Sequence, residues 1–245
     1  MEGPNTVELE LNVGLAKVSK WATRESGDTL EMIERPHGGL SLVLADGQRS
    51  GKAAKRISNL VTRKALSLLA EGVRDGAAAR AAHDHLRAER QGQVSAELCI
   101  ISLDLVTRTI VVSRNSHCPV FLIQGTELRK LDEPSQAIGI HAGTKPTIAE
   151  ISVAVNTWVI AFTDGIFVAG QRSGQSLDVA GFGSSFVRDR RGDAPALADA
   201  ILAQAVALDQ GRPEDDMSVL VLSLIPGRQA DSARRLTVRF PLPPF

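Results

Sequence analysis

The chain has 245 residues, of which 43% are hydrophobic and 23% charged, and its 28 basic side chains balance 28 acidic ones. This composition is ordinary for a folded protein and excludes a disordered, collagen-like or low-complexity chain. The balanced charge argues against a nonspecific binder of nucleic acid or membrane surfaces, which normally carries a basic excess.

No segment of the chain is expected to enter a membrane. Residues 1–4 lack the basic cap and apolar run of a signal peptide. The longest apolar runs are shorter than the roughly 18–20 residues that cross a bilayer. Cys99 and Cys118 lie in apolar runs, which is typical of buried, reduced thiols. We therefore expect a cytoplasmic protein with no membrane and no nucleic acid among its partners.

The chain begins with β structure. Apolar residues alternate over 7–15 and predict a half-buried strand. Two short strand-like runs, 30–34 and 40–45, flank the turn-forming residues 35–39. Together they predict a β-hairpin.

Two helices are predicted next. Apolar residues recur at helical spacing over 50–71 and predict a long amphipathic helix. An alanine-rich helix is expected over 77–90, with Asp75 as its cap.

The rest of the chain is mostly β structure with one further helix. Five strands are predicted, over 94–105, 109–113, 120–124, 148–155 and 158–163. Residues 171–192 are rich in Gly, Ser and Arg and predict an exposed loop. A helix is expected from Asp193, and a last core strand over 217–224.

This order of elements indicates the fold class. Strands clustered in runs, with consecutive helices between them, predict an α+β fold of mainly antiparallel sheets flanked by helices. After Pro226 the chain becomes rich in arginine and proline. We therefore expect one domain over 1–225 and a C-terminal extension, 226–245, whose role the sequence does not indicate.

Two Asp-Gly pairs follow buried strands. Most Asp-Gly pairs are hairpin turns, but Asp46-Gly47 precedes a helix and Asp164-Gly165 precedes a short helix-like segment. Neither is followed by the returning strand that a hairpin needs. Both aspartates are therefore candidate site residues at strand ends, whereas Asp75-Gly76 is explained as a cap and turn.

Further aspartates flank other core elements. Asp28 precedes the first hairpin, and Asp215-Asp216 opens the last strand, with no lysine or arginine in the local motifs. Converging carboxylates without counter-charges repel one another, and a divalent cation commonly relieves the repulsion. Oxygen ligands favour Mg²⁺ or Mn²⁺. Four aspartates match the charge of two such ions, an arrangement suited to phosphoryl transfer.

The motifs resemble those of the metal-dependent serine/threonine protein phosphatase superfamily (PPM, type 2C), and most of all its bacterial SpoIIE-type branch. The shared segments are Gly27-Asp28, Asp46-Gly47-x-x-x-Gly51, Phe162-Thr163-Asp164-Gly165 and Asp215-Asp216-Met217-Ser218, in the family's order and at its spacing. Residues 114–119 also resemble the branch's Asn-Ala-Gly-His-x-Pro turn. The likeness covers roughly residues 7–225.

The resemblance implies an αββα four-layer sandwich with two Mn²⁺ or Mg²⁺ ions in a cleft at one edge of the sheets. By motif position, Asp46 would bridge the metals, and Asp164 and Asp215 would complete the ligands of one ion. Asp28 and the carbonyl of Gly47 would serve the other ion, directly or through water. Asp216 would support these ligands, and a metal-bridging water would attack the phosphate.

Two departures from the family pattern concern proton and phosphate handling. Gln48 stands where many eukaryotic relatives carry a histidine proposed as general acid. No residue matches the N-terminal phosphate-binding arginine with certainty, and Arg24 and Arg49 are the candidates.

By resemblance, the expected function is hydrolysis of phosphoserine or phosphothreonine on a bacterial partner-switching regulator. Such a substrate would be a STAS-type anti-sigma antagonist or a stressosome component. Two alternatives stay open: a catalytically silent phosphatase fold used as a binding module, and an enzyme for small phosphate esters. The four aspartate positions favour an active enzyme.

Overall fold

The computed structural model describes residues 8–36, 38–227 and 233–239. Within these ranges the strands are β1 Leu9–Val18, β2 Asp28–Glu34, β3 Gly39–Gly47, β4 Ala96–Asp104, β5 Thr109–Asn115, β6 Val120–Gln124, β7 Glu127–Leu131, β8 Thr147–Ser152, β9 Thr157–Phe162 and β10 Met217–Pro226. The α-helices are α1 Gly51–Ala70, α2 Asp75–Glu89, α3 Asp164–Phe167, α4 Val179–Arg188 and α5 Ala194–Leu208. None of the described helices is long and apolar enough to cross a membrane.

The strands form two five-stranded sheets. Sheet I has the order β1-β10-β9-β6-β7, and sheet II has the order β2-β3-β4-β5-β8. All neighbouring strands are antiparallel. The sequence predicted mainly antiparallel sheets and the hairpin of β2 and β3, but it predicted neither the strand order nor a strand at β7.

Three apolar layers hold the molecule together. The middle layer lies between the sheets and includes Leu42 and Ile101 of sheet II and Leu220 of sheet I. A second layer joins sheet II to α1 and α2, and a third joins sheet I to α4 and α5. Burial of these apolar side chains is the main stabilising contribution. The predicted α+β fold, an αββα four-layer sandwich, is confirmed.

The predicted loop at 171–192 is wrong in part, because it contains α4. Asp178 caps this helix by accepting a hydrogen bond from the Gly181 amide at 2.9 Å. The glycines hid the helix in the sequence. A Cβ on Gly183 would press into Ile160 of sheet I, so glycine lets α4 pack closely on the sheet.

Asp75 does not cap α2 as predicted. The helix begins at Asp75, and Arg74 occupies the N-cap position without a side-chain cap hydrogen bond. The buried Asp75 carboxylate instead accepts a hydrogen bond from Ser102 of β4 and pairs with Arg35 at 3.1 Å. Both partners are distant in sequence, so local pattern gave no sign of them.

Only part of the C-terminal extension lies within the described residues. β10 ends at Pro226, and residues 233–239 contain no helix or strand. In this stretch Arg234 contacts the Glu34 carboxylate. The remainder of the extension, like Val7 of the predicted first strand, lies outside the described residues.

Candidate metal centre

Three acidic residues lie side by side at one end of sheet II. Asp28 opens β2 and is paired in register with Asp46, near the end of β3. Asp46 is paired in turn with Glu97, near the start of β4. Register partners on neighbouring strands have adjacent side chains, so the fold itself brings these carboxylates together.

Sheet I supplies the other carboxylates. Asp164 opens α3 directly after β9, and Asp215 lies just before β10. These two strands are antiparallel neighbours, and the Thr163 amide donates to the Ser218 carbonyl at 3.0 Å. The end of β9 and the start of β10 therefore place Asp164 beside Asp215.

Asp28 ties the two sheets together at this edge. Its carboxylate oxygen Oδ2 accepts hydrogen bonds from Thr163 Oγ1 at 2.9 Å and from Ser218 Oγ at 2.6 Å. Ser218 lies on β10 of sheet I and Thr163 directly follows β9 of the same sheet, whereas Asp28 belongs to sheet II. The four candidate aspartates are therefore gathered at one edge of the sandwich.

Burial and mutual repulsion raise the pKa values of these carboxyl groups above their ordinary range. Burial first, then the charges of Asp28 and Asp164 together with a hydrogen bond to Asp164, raises the pKa of Asp46 to about 10. Burial, with the charges of Asp216 and Asp164, raises the pKa of Asp28 to about 7. Strong mutual shifts of this kind are typical of functional sites.

The other two aspartates are shifted in the same direction. Burial, followed by the charge of Glu97, raises the pKa of Asp164. Burial also raises the pKa of Asp215, to which the charge of Asp164 adds. In the described part of the chain, the four aspartates make one side-chain ion pair, between Lys20 Nζ and Asp215 at 4.0 Å.

The residues present fit divalent cations. The buried Oδ1 atom of Asp28 has no hydrogen-bond partner among the described residues. Lys17 and Lys55 contact the main-chain carbonyl of Asp28, at 3.2 and 2.6 Å, and not its carboxylate. An unsatisfied buried carboxylate oxygen is costly, and a bound cation would satisfy it. The donor atoms are oxygens, which suit Mg²⁺ and Mn²⁺.

Two glycines permit the close approaches around the centre. A Cβ on Gly47 would overlap the carbonyl oxygen of Ala54 in α1, and one on Gly165 would overlap the carbonyl oxygen of Asp216. The Asp-Gly pairs found in the sequence thus mark points where a helix and a strand pass too close for a side chain.

Asp216 makes a different set of contacts from its neighbour Asp215. Its two carboxylate oxygens accept hydrogen bonds from the main-chain amides of Lys20 at 3.0 Å and Gly27 at 2.8 Å. These bonds fix both ends of the segment that leads into Asp28. Asp216 therefore acts on the position of Asp28.

The two arginines suggested for phosphate binding lie on the surface. Arg24 and Arg49 are exposed, and neither forms an ion pair among the described residues. Arg49 has a positive φ of 77°, a conformation that is unfavourable for a residue with a side chain. Gln48 accepts a hydrogen bond from the Ser95 amide at 3.2 Å. Among the described residues, none of these three side chains forms a hydrogen bond or ion pair with the four aspartates.

Sequence reasoning missed Glu97 and its contacts. Glu97 accepts a hydrogen bond from Ser116 Oγ at 2.6 Å and contacts His117 Nδ1. Glu97, His117 and Cys118 place potential ligand atoms within 4.8 Å of one another. Burial raises the pKa of the Cys118 thiol, so this group is a poor thiolate ligand. An acidic residue inside an otherwise apolar strand was the available signal.

Comparison with known proteins assigns the family. Residues 36–225 match the family described as Stage II sporulation protein E (SpoIIE). The Stage II sporulation protein E of Priestia megaterium is 22% identical over 219 residues, which cover 87% of this chain. The chain spans only 36% of that relative's length.

Solved structures share the fold. The PP2C phosphatase domain of SpoIIE from Bacillus subtilis, with a fragment of its regulatory domain, matches with a TM-score of 0.73 at 21% identity. The match covers 87% of this chain and 63% of that one. The catalytic domain of the serine/threonine protein phosphatase PstP, in complex with two manganese ions, matches with a TM-score of 0.66 at 16% identity, covering 89% and 100% of the two chains. This chain belongs to the SpoIIE-type branch of the PPM phosphatase superfamily.

Proposed function

We propose that this protein is a Mn²⁺- or Mg²⁺-dependent protein serine/threonine phosphatase. The observation that carries the proposal is the convergence of four buried or half-buried aspartates with a single weak counter-charge and one unpartnered buried oxygen. Family membership and the fold shared with PstP support the same activity.

The proposed ligands follow from the positions of the aspartates. Asp46 would contact both ions, Asp164 and Asp215 would hold one, and Asp28 with the Gly47 carbonyl would hold the other. Two bound divalent ions would activate a water molecule and neutralise charge on the phosphoryl oxygens.

The surrounding residues prepare this site. Thr163 and Ser218 donate hydrogen bonds to Oδ2 of Asp28, which leaves the unpartnered Oδ1 available to a metal ion. Asp216 fixes the segment before Asp28 through two main-chain amides. Preorganised ligands of this kind lower the cost of assembling the charged site.

Phosphate binding and leaving-group protonation depend on other groups. We propose Arg24 and Arg49 as phosphate contacts, since both are exposed cations in segments that flank the ligands Asp28 and Asp46. The Gln48 carboxamide has no proton to donate as an acid. The leaving oxygen therefore takes its proton from water or from another side chain.

The proposed substrate is a phosphorylated regulatory protein of a partner-switching system, either a STAS-type anti-sigma antagonist or a stressosome component. Membership of the SpoIIE-type branch supports this choice. Residues 1–225 would form the catalytic domain and 226–245 an extension to it.

The experiment is hydrolysis of para-nitrophenyl phosphate with Mn²⁺, Mg²⁺ or EDTA. The variants are Asp46→Asn and Asp164→Asn, with the exposed Asp199→Asn as matched control. We expect metal-dependent turnover that falls by about 1,000-fold in the first two variants, since each loses a ligand charge, and is unchanged in the control.

A phosphoserine or phosphothreonine peptide should then be hydrolysed in preference to a phosphotyrosine peptide. Absence of turnover with every metal, in protein shown to be folded, would contradict the proposal and favour the silent binding module.

A further inference from the structure

The solvent face of α1 is strongly basic although the whole chain is neutral. The 20-residue helix contains five basic residues and no acidic one, whereas the chain has 28 of each sign. Four of the five define what we call the α1 basic face, and they are Lys52, Arg56, Arg63 and Lys64. Residues at 52, 56 and 63 fall on one side of an α-helix because their spacing is close to whole turns.

These four cations have no partners in the described structure. None forms a hydrogen bond or ion pair with residues 8–36, 38–227 or 233–239. The fifth cation of the helix differs, since Lys55 Nζ donates to the Asp28 carbonyl and to Thr29 Oγ1. Elsewhere, Arg188 and Arg191 both pair with Asp189. The α1 basic face is thus a concentrated charge left unneutralised.

This charge is unfavourable for α1 itself. Lys52 lies in the first turn, where the helix dipole disfavours a cation, and that turn contains no acidic residue. Lys52 and Arg56 are four residues apart, at the spacing where like charges repel. Folding of the helix therefore does not explain the pattern, whereas neutralisation by a bound partner does.

The face borders a groove that can accept side chains. The groove has a volume of about 430 Å³. It is lined by Arg56, Asn59, Leu60, Arg63, Lys64 and Ser67 of α1 and by His85 of α2. Cations around a partly apolar floor at Leu60 match an acidic segment that also carries an apolar side chain.

We propose that the α1 basic face is a docking site for an acidic segment of a partner protein. The proposal is independent of the proposed function, because no residue of the face is one of the proposed metal ligands or phosphate contacts. Charge complementarity would supply orientation and association rate, and the groove beside Leu60 would supply a specific apolar contact.

Two other kinds of anionic partner fit less well. Nucleic acid binding is favoured by an overall basic charge and by exposed aromatic side chains, but the chain is neutral and α1 has no aromatic residue. Membrane binding by a surface helix requires an exposed apolar face. None of the exposed large hydrophobic residues of the described structure lies on α1.

The test uses the full chain and a defined probe. The probe is a fluorescent 16-residue helical peptide with glutamates at i,i+4 spacing and one central leucine, and its twin has glutamine in place of every glutamate. Binding is measured by fluorescence anisotropy at near-physiological salt. The variant is Arg56→Gln/Arg63→Gln/Lys64→Gln. Its matched control, with the same loss of charge on another exposed surface, is Arg188→Gln/Arg190→Gln/Arg191→Gln.

We expect the acidic peptide to bind the native chain and the neutral twin not to bind. The α1 variant should bind about tenfold more weakly, since three ion pairs are lost, and the control should be unchanged. Thermal unfolding verifies that both variants are folded. Equal binding to the two variants, or no binding to the native chain, would overturn the proposal. Tighter binding of duplex DNA or phosphatidylglycerol vesicles through the same three residues would also overturn it.

Discussion

The two ends of sheet II show how the same fold treats buried aspartates in opposite ways. At one end Asp28 and Asp46 lie on neighbouring strands without a counter-ion of their own. Toward the other end of the sheet, Asp75 of α2 is buried against Arg35, which directly follows β2, and Ser102 of β4. We call the end of sheet II at Asp75 and Arg35 the closed end, and the end at Asp28 and Asp46 the open end.

The two ends differ in whether their buried carboxylates are fully paired. The Arg35 guanidinium also donates to the Ser41 hydroxyl at 3.2 Å and to the Val73 carbonyl at 3.2 Å, so the ion pair is closed by hydrogen bonds. A satisfied pair of this kind has no ligand left to gain. The Asp28 end keeps an unpartnered oxygen and carboxyl groups with raised pKa values. An incomplete charge balance, and not burial alone, marks the candidate centre.

The largest expected effect concerns the closed end. Arg35→Met would leave the Asp75 carboxylate buried without its cation and should lower the free energy of unfolding by about 3–5 kcal/mol. Metal affinity of the folded protein should be unchanged, because the far end of the sheet is untouched. Denaturant unfolding and calorimetric Mn²⁺ titration measure the two quantities.

The exposed Arg80→Met on α2 is the control for this change, and Arg35→Met/Asp75→Asn should recover part of the lost stability. A loss of Mn²⁺ affinity in folded Arg35→Met would show that the two ends are not separate.

The next effect is a pH dependence confined to the open end. In metal-free protein the pKa of Asp28 is raised from 3.8 to about 7, mainly by burial. Between about pH 4 and pH 7, Asp28 is therefore protonated in the folded state and ionised in the unfolded state. The free energy of unfolding should therefore fall, on the order of a few kcal/mol, as pH rises from about 4 to about 7.

This slope is measured by denaturant unfolding in EDTA at several pH values. Asp28→Asn should make the slope shallower, because the amide does not titrate. Part of the slope should remain, because the pKa values of Asp46, Asp164 and Asp215 are also raised. Asp199→Asn should leave the slope intact. The same slope in both variants would remove Asp28 as its source.

The smallest expected effect is on Mn²⁺ affinity, and it tests whether the hydrogen bonds to Asp28 orient its carboxylate. Ser218→Ala removes the 2.6 Å hydrogen bond to Oδ2 and should weaken Mn²⁺ binding about 10- to 100-fold, since such bonds orient the ligand. Ser223→Ala is the matched control, because this residue is buried on the same strand and its hydroxyl has no partner among the described residues. Equal affinities in the two variants would contradict the orienting role.

The sequence predicted most of the fold because its signals are local. Alternation in β1 and the helical spacing of α1 each depend on a few neighbouring residues. The prediction failed at α4, where Gly183 allows close packing on Ile160. It also failed at Asp75, whose partners Arg35 and Ser102 are distant in sequence.

Part of the candidate centre could also be predicted from the sequence, because some of its residues have local signals. Asp46 and Asp164 stand out as Asp-Gly pairs at strand ends, and the structure brings them close enough that, beside burial, the charge of Asp164 raises the pKa of Asp46. Glu97 did not stand out, because its position depends on the register of β3 with β4. The two helices between these strands leave that register undetermined in the sequence.

The most direct test of the central claim is calorimetric titration of the folded protein with Mn²⁺, native chain against Asp46→Asn. The open end of sheet II is predicted to bind two ions in the native chain, and Asp46→Asn should lose them or bind about 100-fold more weakly, since the central carboxylate is gone. Equal stoichiometry and affinity in both proteins, or no binding by the folded native chain, would contradict the assignment of these aspartates to a metal centre.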